Sequence, residues 1–175
     1  MDSTELFEAI VSEHYEPLFR FAMSLTRSES DAGDLTQQTF YTWARKGHQL
    51  RDVSKVKTWL FTTLHREFIG GQRRKNKFIH DELEAVADLL PAHSSDSGTG
   101  VDCVEVLSAL GKVDEIFQAA VALFYLEDYC YKDIALILGI PIGTVKSRIA
   151  RGIEQLREHM QSDTTTFTRS NVPEF

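Results

Sequence analysis

Within YKDIALILGIPIGTVKSRIARGIEQLR, Tyr131 to Arg157, the order Ala135, Gly139, Val145 restricts the fold more than any other feature of the chain. Ile134, Ala135 and Leu138 form an apolar stripe at helical spacing. Gly139 follows where the chain must turn; glycine tolerates φ > 0, and Ile140 can then bury beneath the turn. Pro141 suits the start of a new helix, and Thr144 stands as its N-cap or as a first-turn hydroxyl. Val145 and Ile149, one helical turn apart, pin the second helix on the first. Two helices joined by this small-turn-apolar spacing predict a helix-turn-helix. That packing turns Lys146, Ser147, Arg148 and Arg151 outward. A helix so charged fits the major groove of duplex DNA; a solvated basic face on an ordinary hairpin is the alternative.

The rest of the chain is also patterned for helices, and the fold class predicted is all-α. Two small helical domains, 1–90 and 101–160, are joined by a flexible linker, 91–100, and followed by a disordered tail, 161–175. In the first domain Leu6, Phe7, Ile10, Val11, His14, Tyr15, Leu18, Phe19, Ala22 and Leu25 recur at helical spacing, with Pro17 expected to kink or divide the run. Ser28 and Asp31 predict a capping box for a second helix carrying Leu35, Phe40 and Trp43, which Gly47 ends. Ser54 is expected to cap a third helix bearing Trp59, Leu60, Leu64 and Phe68, interrupted at Gly70 and Gly71. PAHSSDSGTG, residues 91–100, is small, polar and rich in breakers. Helical patterning resumes at Val101 and passes through Leu110, Ile116, Phe117 and Leu123.

A formal net charge of −7 would repel a polyanion if it were evenly spread, but it is not. Residues 1–40 hold eight acids against Arg20 and Arg27, and residues 78–105 hold seven acids with no Lys or Arg. Residues 51–77 reverse this: Arg51, Lys55, Lys57, Arg66, Arg73, Arg74, Lys75 and Lys77 face only Asp52 and Glu67. Screening over about 8 Å lets two basic islands act locally, which fits two separate polyanion contacts. Trp59, Phe61, Phe68 and Phe78 interleave with the first island, where aromatics could stack on bases; by its helical spacing with Leu60, Leu64 and Phe68, Trp59 is expected in the core rather than on that surface.

No apolar run approaches the ~20 residues that span a membrane, and the N-terminus has no basic leader, so a cytoplasmic location without membrane insertion is expected. Cys103 and Cys130 are expected as two buried thiols. The six histidines are scattered without metal-ligand spacing, and there is no phosphate-cradling glycine loop. No metal, cofactor or catalytic constellation is therefore expected.

Taken in order, four stretches resemble the small bacterial sigma factors of the extracytoplasmic-function (ECF) group. YEPLFRFAMSLT and SDAGDLTQQTFYTWAR are similar to that group's helices for binding core polymerase. VKTWLFTTLHREFIGGQRRKNK is similar to its minus-ten helix, and LFYLEDYCYKDIALILGIPIGTVKSRIARGIEQLR to its minus-thirty-five domain. The resemblance, from about Leu6 to Met160, implies a promoter-recognition factor that makes and breaks no bond itself. It implies that Asp31, Asp34, Leu35, Gln37, Gln38 and Phe40 dock on the clamp of the polymerase's largest subunit. Lys55, Lys57, Trp59, Arg66, Arg73 and Arg74, with the loop 46–54, would engage the minus-ten element. Tyr131, Lys132, Thr144, Lys146, Ser147, Arg148 and Arg151 would read the minus-thirty-five element. Core polymerase, promoter DNA and an anti-sigma protein are the implied partners. The chain departs from the group's pattern at Gly33, Gln38, Gly70, Gln118 and Ile153. A helix-turn-helix regulator acting without polymerase, or a protein-binding adaptor, are the competing functions.

Overall fold

Helical spacing is realised along nearly the whole computed structural model, which describes residues 3–82 and 101–169, with side chains over 4–75 and 106–160. The expected linker, the side chains of Lys77, Phe78 and Cys103, and residues 170–175 lie outside the described residues. The chain divides into two units, Met1–Ser97 and Gly98–Phe175. Among the described residues there is no strand, and no helix is long and apolar enough to cross a membrane.

The first unit packs three helices, α1 (Ser3–Thr26), α2 (Glu29–Lys46) and α3 (Val56–Glu82), around one core. α1 runs through Pro17 as a single helix. Leu18, Phe21, Ala22 and Leu25, buried just beyond it, offset the lost backbone bond. Phe21 is absent from the apolar face expected from spacing, yet it is fully buried and meets Phe61 at 5.4 Å. Ser28 caps α2 as expected, its hydroxyl accepting the Asp31 amide at 3.3 Å.

The inner face of α2 holds Ala32, Thr36, Thr39, Phe40 and Trp43. The buried threonine hydroxyls donate one turn back, to the carbonyls of Ala32 at 2.7 Å and Leu35 at 2.8 Å, so neither is left unsatisfied. Gly47 follows α2, but with φ −60 it is not there for a left-handed turn. A β-carbon at that position would stand 2.6 Å from the Trp43 ring, so close indole packing is what requires glycine.

α3 begins differently from the sequence expectation. Asp52, not Ser54, caps the short turn Val53–Lys55 that leads into it. Ser54 is the donor, giving its amide at 3.0 Å and its hydroxyl at 2.6 Å to Asp52 Oδ1. The hydroxyl bond above all, then the amide bond, holds the Asp52 carboxyl below its ordinary pKa. α3 also passes unbroken through Gly70 and Gly71. Each glycine costs about 1 kcal/mol against alanine, but the buried anchors Val56, Leu60, Phe61 and Leu64 have already nucleated the helix.

His14 is buried on α1 with Glu13 at 4.0 Å. Burial lowers its pKa; Glu13 opposes this, and Lys57 adds to it. Below about pH 6.5 the unfolded chain therefore takes up a proton that the folded chain resists, so stability is lost as pH falls. Melting curves recorded from about pH 8 down to pH 5 should show a steeper fall in Tm for wild type than for His14→Gln. Parallel curves would remove His14 as the cause.

The second unit packs α4 (Val101–Lys112), α5 (Glu115–Tyr125), α6 (Tyr131–Leu138) and α7 (Ile142–Arg169). α4 and α5 are separate helices, and the break at Val113–Asp114 resets the helical phase. Ile116, expected on the apolar face, is consequently 56% exposed. Gln155 of α7 ties this break down by accepting the Asp114 amide at 3.0 Å and donating to Asp114 Oδ2 at 2.7 Å. Cys130, expected buried, is exposed instead, with its thiol donating to Asp133 Oδ2 at 3.2 Å. α7 continues to Arg169, so helix occupies much of the span expected to be a disordered tail. Extending a helix already anchored by Val145 and Ile149 needs no new nucleus.

Candidate nucleic-acid interface

The turn between α6 and α7 has the geometry its sequence demands. Gly139 sits at φ 65, ψ 37, in the left-handed region. Its amide and that of Ile140 both reach back to the Ala135 carbonyl, the latter at 3.1 Å, closing the end of α6. Pro141 stands immediately before α7, its carbonyl accepting the Val145 amide at 3.1 Å. Thr144 therefore stands in the first turn of α7 and is not its N-cap. Ile134, Ile137, Val145 and Ile149 are buried where the two helices cross; Ile137 takes the place expected for Ala135 and Leu138, which are only half-buried.

The opposite face of α7 carries Lys146, Ser147 and Arg151, all exposed, with Thr144 and Arg148 half-buried beside them. Ser147 Oγ donates to the Thr144 carbonyl at 3.0 Å, leaving its lone pairs outward. Tyr131 and Lys132, at the start of α6, are exposed as well. Lys146 Nζ lies over the Tyr131 ring, 5.9 Å from its centroid, so the two helices join in one cationic surface.

In the first unit, continuity of α3 decides which basic residues align. Trp59, Arg66 and Arg73 recur every seven residues, a drift of only ~20° per repeat, and thus share one side of the helix. Arg66 and Arg73 are exposed, as is Arg74 at the edge of that side. Trp59 is half-buried rather than core, standing edge-on to Trp43 at 5.1 Å and 71°. Lys57 does not join them. It leans toward the core, half-buried, with Nζ 5.9 Å from the Phe61 centroid. Lys55 is exposed, 3.8 Å from Asp52. Gly47, His48, Leu50 and Val53 of the loop 46–54 line a cavity of about 210 Å³ together with Ile10, Trp43 and Val56.

On α2, Asp31, Asp34, Gln37 and Gln38 are exposed and Leu35 is half-buried. Phe40 is only 6% exposed and stacks on Tyr15 at 6.3 Å, so it belongs to the core and cannot reach a partner. One turn beyond Gln37 and Gln38, Tyr41 is 57% exposed with the Arg45 guanidinium 5.6 Å from its ring. This pair extends the polar face. Sequence reasoning passed over it, although the Tyr-Arg i, i+4 spacing was the available signal.

Residues 10–78 match sigma-70 region 2 and residues 103–156 match sigma-70 region 4. The chain is 30% identical over 171 residues to the ECF RNA polymerase sigma factor SigE of Mycolicibacterium smegmatis. That match covers 94% of this chain but 65% of SigE, so the chain spans just under two thirds of that relative's length. It is 27% identical to SigM of Bacillus subtilis, covering 86% of this chain and 92% of SigM. Among solved structures it is similar to the sigma factor RpoE of Bartonella quintana in complex with the anti-sigma factor NepR. The TM-score is 0.69 at 30% identity, over 87% of this chain and 96% of that one. CnrH in complex with the cytosolic domain of CnrY shares the fold, with a TM-score of 0.64 at 22% identity.

Proposed function

We propose, from the premise that this chain belongs to the sigma-70 family and to its ECF group, that it binds core RNA polymerase and directs it to promoters. The observation that carries the reading is the α6–α7 turn. Four buried aliphatics lock the two helices, and the cations of α7 are left on a face of the size and charge that fits a major groove. In the chain's order the proposed roles are polymerase and minus-ten binding over 1–90, a linker over 91–100, and minus-thirty-five binding over 101–160.

Tyr131, Lys132, Thr144, Lys146, Ser147, Arg148 and Arg151 form the proposed duplex-reading surface. Trp59, Arg66 and Arg73, flanked by Lys55 and Arg74, form the minus-ten side. Holding an unstacked base there lowers the cost of opening the duplex. Asp31, Asp34, Leu35, Gln37 and Gln38, extended by Tyr41 and Arg45, form the polymerase-docking side, with acids meeting a cationic partner surface. The protein makes and breaks no covalent bond, acts in the cytoplasm beside polymerase, and is held in check by an anti-sigma protein.

In vitro transcription with bacterial core polymerase on a pool of genomic fragments tests this directly. Discrete start sites should appear only when the protein is added. Binding of the free protein to one palindromic site, without any start site, would make it a regulator that acts without polymerase. Arg148→Ala should weaken use of the preferred promoter by about 1–3 kcal/mol if the guanidinium reads a base edge. A loss equal on all DNA sequences would assign it to phosphate instead.

A further inference from the structure

The five residues between α5 and α6 place one aromatic side chain with unusual care. Asp128 adopts φ 55, a left-handed conformation that non-glycine residues rarely take. The chain reverses there, the Tyr129 amide donates to the Leu123 carbonyl at 3.1 Å, and the Tyr129 ring is buried as an anchor. Two residues later Tyr131 is laid on Phe124, with ring centroids 5.4 Å apart and planes 24° from parallel. Lys146 of α7 then lies over the Tyr131 ring. Three successive helices thus contribute a half-buried ring, an exposed ring and a cation to one stack.

We infer that Phe124 and Tyr131 are positioning residues for Lys146, and that Tyr131 acts through its ring rather than its hydroxyl. A lysine stem is long and flexible, and holding its ammonium at a set place on the DNA requires giving up much rotamer freedom. The π face draws the ammonium toward the first turns of α7 before DNA arrives, so part of that freedom is already surrendered in the free protein. The stacked Phe124 fixes the plane of the platform. This inference rests on the reading of α7 as the duplex-reading helix.

The test uses the full chain with core polymerase on a promoter it selects, comparing Tyr131→Phe, Tyr131→Leu, Lys146→Ala, the double variant Tyr131→Leu/Lys146→Ala, and Arg148→Ala. Tyr131→Phe, which keeps the ring, should lose less promoter affinity than Tyr131→Leu. Tyr131→Leu should lose roughly two- to fivefold in promoter affinity, the factor an exposed cation–π pair represents, and the double variant should be no worse than Lys146→Ala. Loss in Tyr131→Phe equal to that in Tyr131→Leu would overturn the inference in favour of a hydroxyl contact. Additive losses in the double variant would overturn it too, as would tighter binding by Tyr131→Leu, which would make the stack a latch. If Lys146→Ala and Arg148→Ala both leave promoter use unchanged, the reading of α7 fails and the inference falls with it. A readout independent of DNA is the ring-current shift of the Lys146 ε-methylene protons. It should be upfield in wild type and Tyr131→Phe, and a value at the random-coil position in either would overturn the platform even if Tyr131→Leu proved too unstable to assay.

Discussion

Gly152→Val will destabilise the second unit by about 2–3 kcal/mol, because nothing larger than hydrogen fits between α5 and α7 at that point. A β-carbon at residue 152 would overlap Val121 Cγ2 and stand 3.1 Å from Phe117 Cβ. Both neighbours belong to α5, and Val121 is fully buried, so neither can step aside without moving the helix. The glycine itself costs about 1 kcal/mol of helix propensity, and close approach of two buried helices is what offsets it. For a unit of this size the change corresponds to a fall in Tm on the order of 10–20 °C. Gly143, on the same helix, is the control: a β-carbon there meets nothing within 4 Å. Gly143→Ala should leave stability unchanged or raise it by up to about 1 kcal/mol. Both tryptophans, Trp43 and Trp59, lie in the first unit, so their fluorescence gives an internal reference, while the assigned ring resonances of Tyr125, Tyr129 and Tyr131 report the second. A tryptophan transition that moves as far as the tyrosine one would show that the effect is not packing between α5 and α7.

Gln118 should prove the second most sensitive position. It is 1% exposed, and its Nε2 donates to the carbonyls of Leu110 at 3.0 Å and Val113 at 2.9 Å. These are carbonyls at the end of α4, where a helix runs out of its own donors. Gln118→Leu keeps the volume and removes both donors, for an expected loss of about 2–3 kcal/mol. Gln118→Glu is nearly isosteric but places an acceptor against two acceptors, and its loss at neutral pH should exceed that of leucine. The folded state raises the pKa of such a glutamate, so the variant regains stability as pH falls toward about 4.3 and loses it as pH rises. Denaturant unfolding at two pH values reads this reversal; a Glu variant insensitive to pH would mean that the side chain escapes to water. The position requires donation to a helix end, which is why glutamine serves.

The candidate surfaces were legible to different depths. Lys146, Ser147 and Arg151 could be assigned to one face from sequence because a helix crossing buries a fixed period, and Val145 and Ile149 set its phase. That Arg73 falls on the same side of α3 as Trp59 and Arg66 was not legible, since it depends on α3 surviving Gly70 and Gly71. That Phe40 is buried and Lys57 half-buried was not legible for a related reason: a residue type does not say which side of its helix meets the neighbouring one. Phe124 escaped notice because Tyr131, which it stacks on, is 7 residues away in the chain and beyond the Asp128 turn.

The sequence by itself determined what local chemistry can determine. Gly139 required a left-handed residue, Ser28 could cap a helix, and the order of the stretches pointed to the sigma-70 family. Tertiary structure decided everything whose cause lies on another helix. It chose Gln118 rather than an aliphatic residue to fill the space beside α4, made Gly47 a seat for Trp43 and Gly152 a crossing point, and left Ile116 and Cys130 in solvent. Backbone preferences act over a turn or two and can be read along the chain, whereas burial is settled between segments distant in sequence.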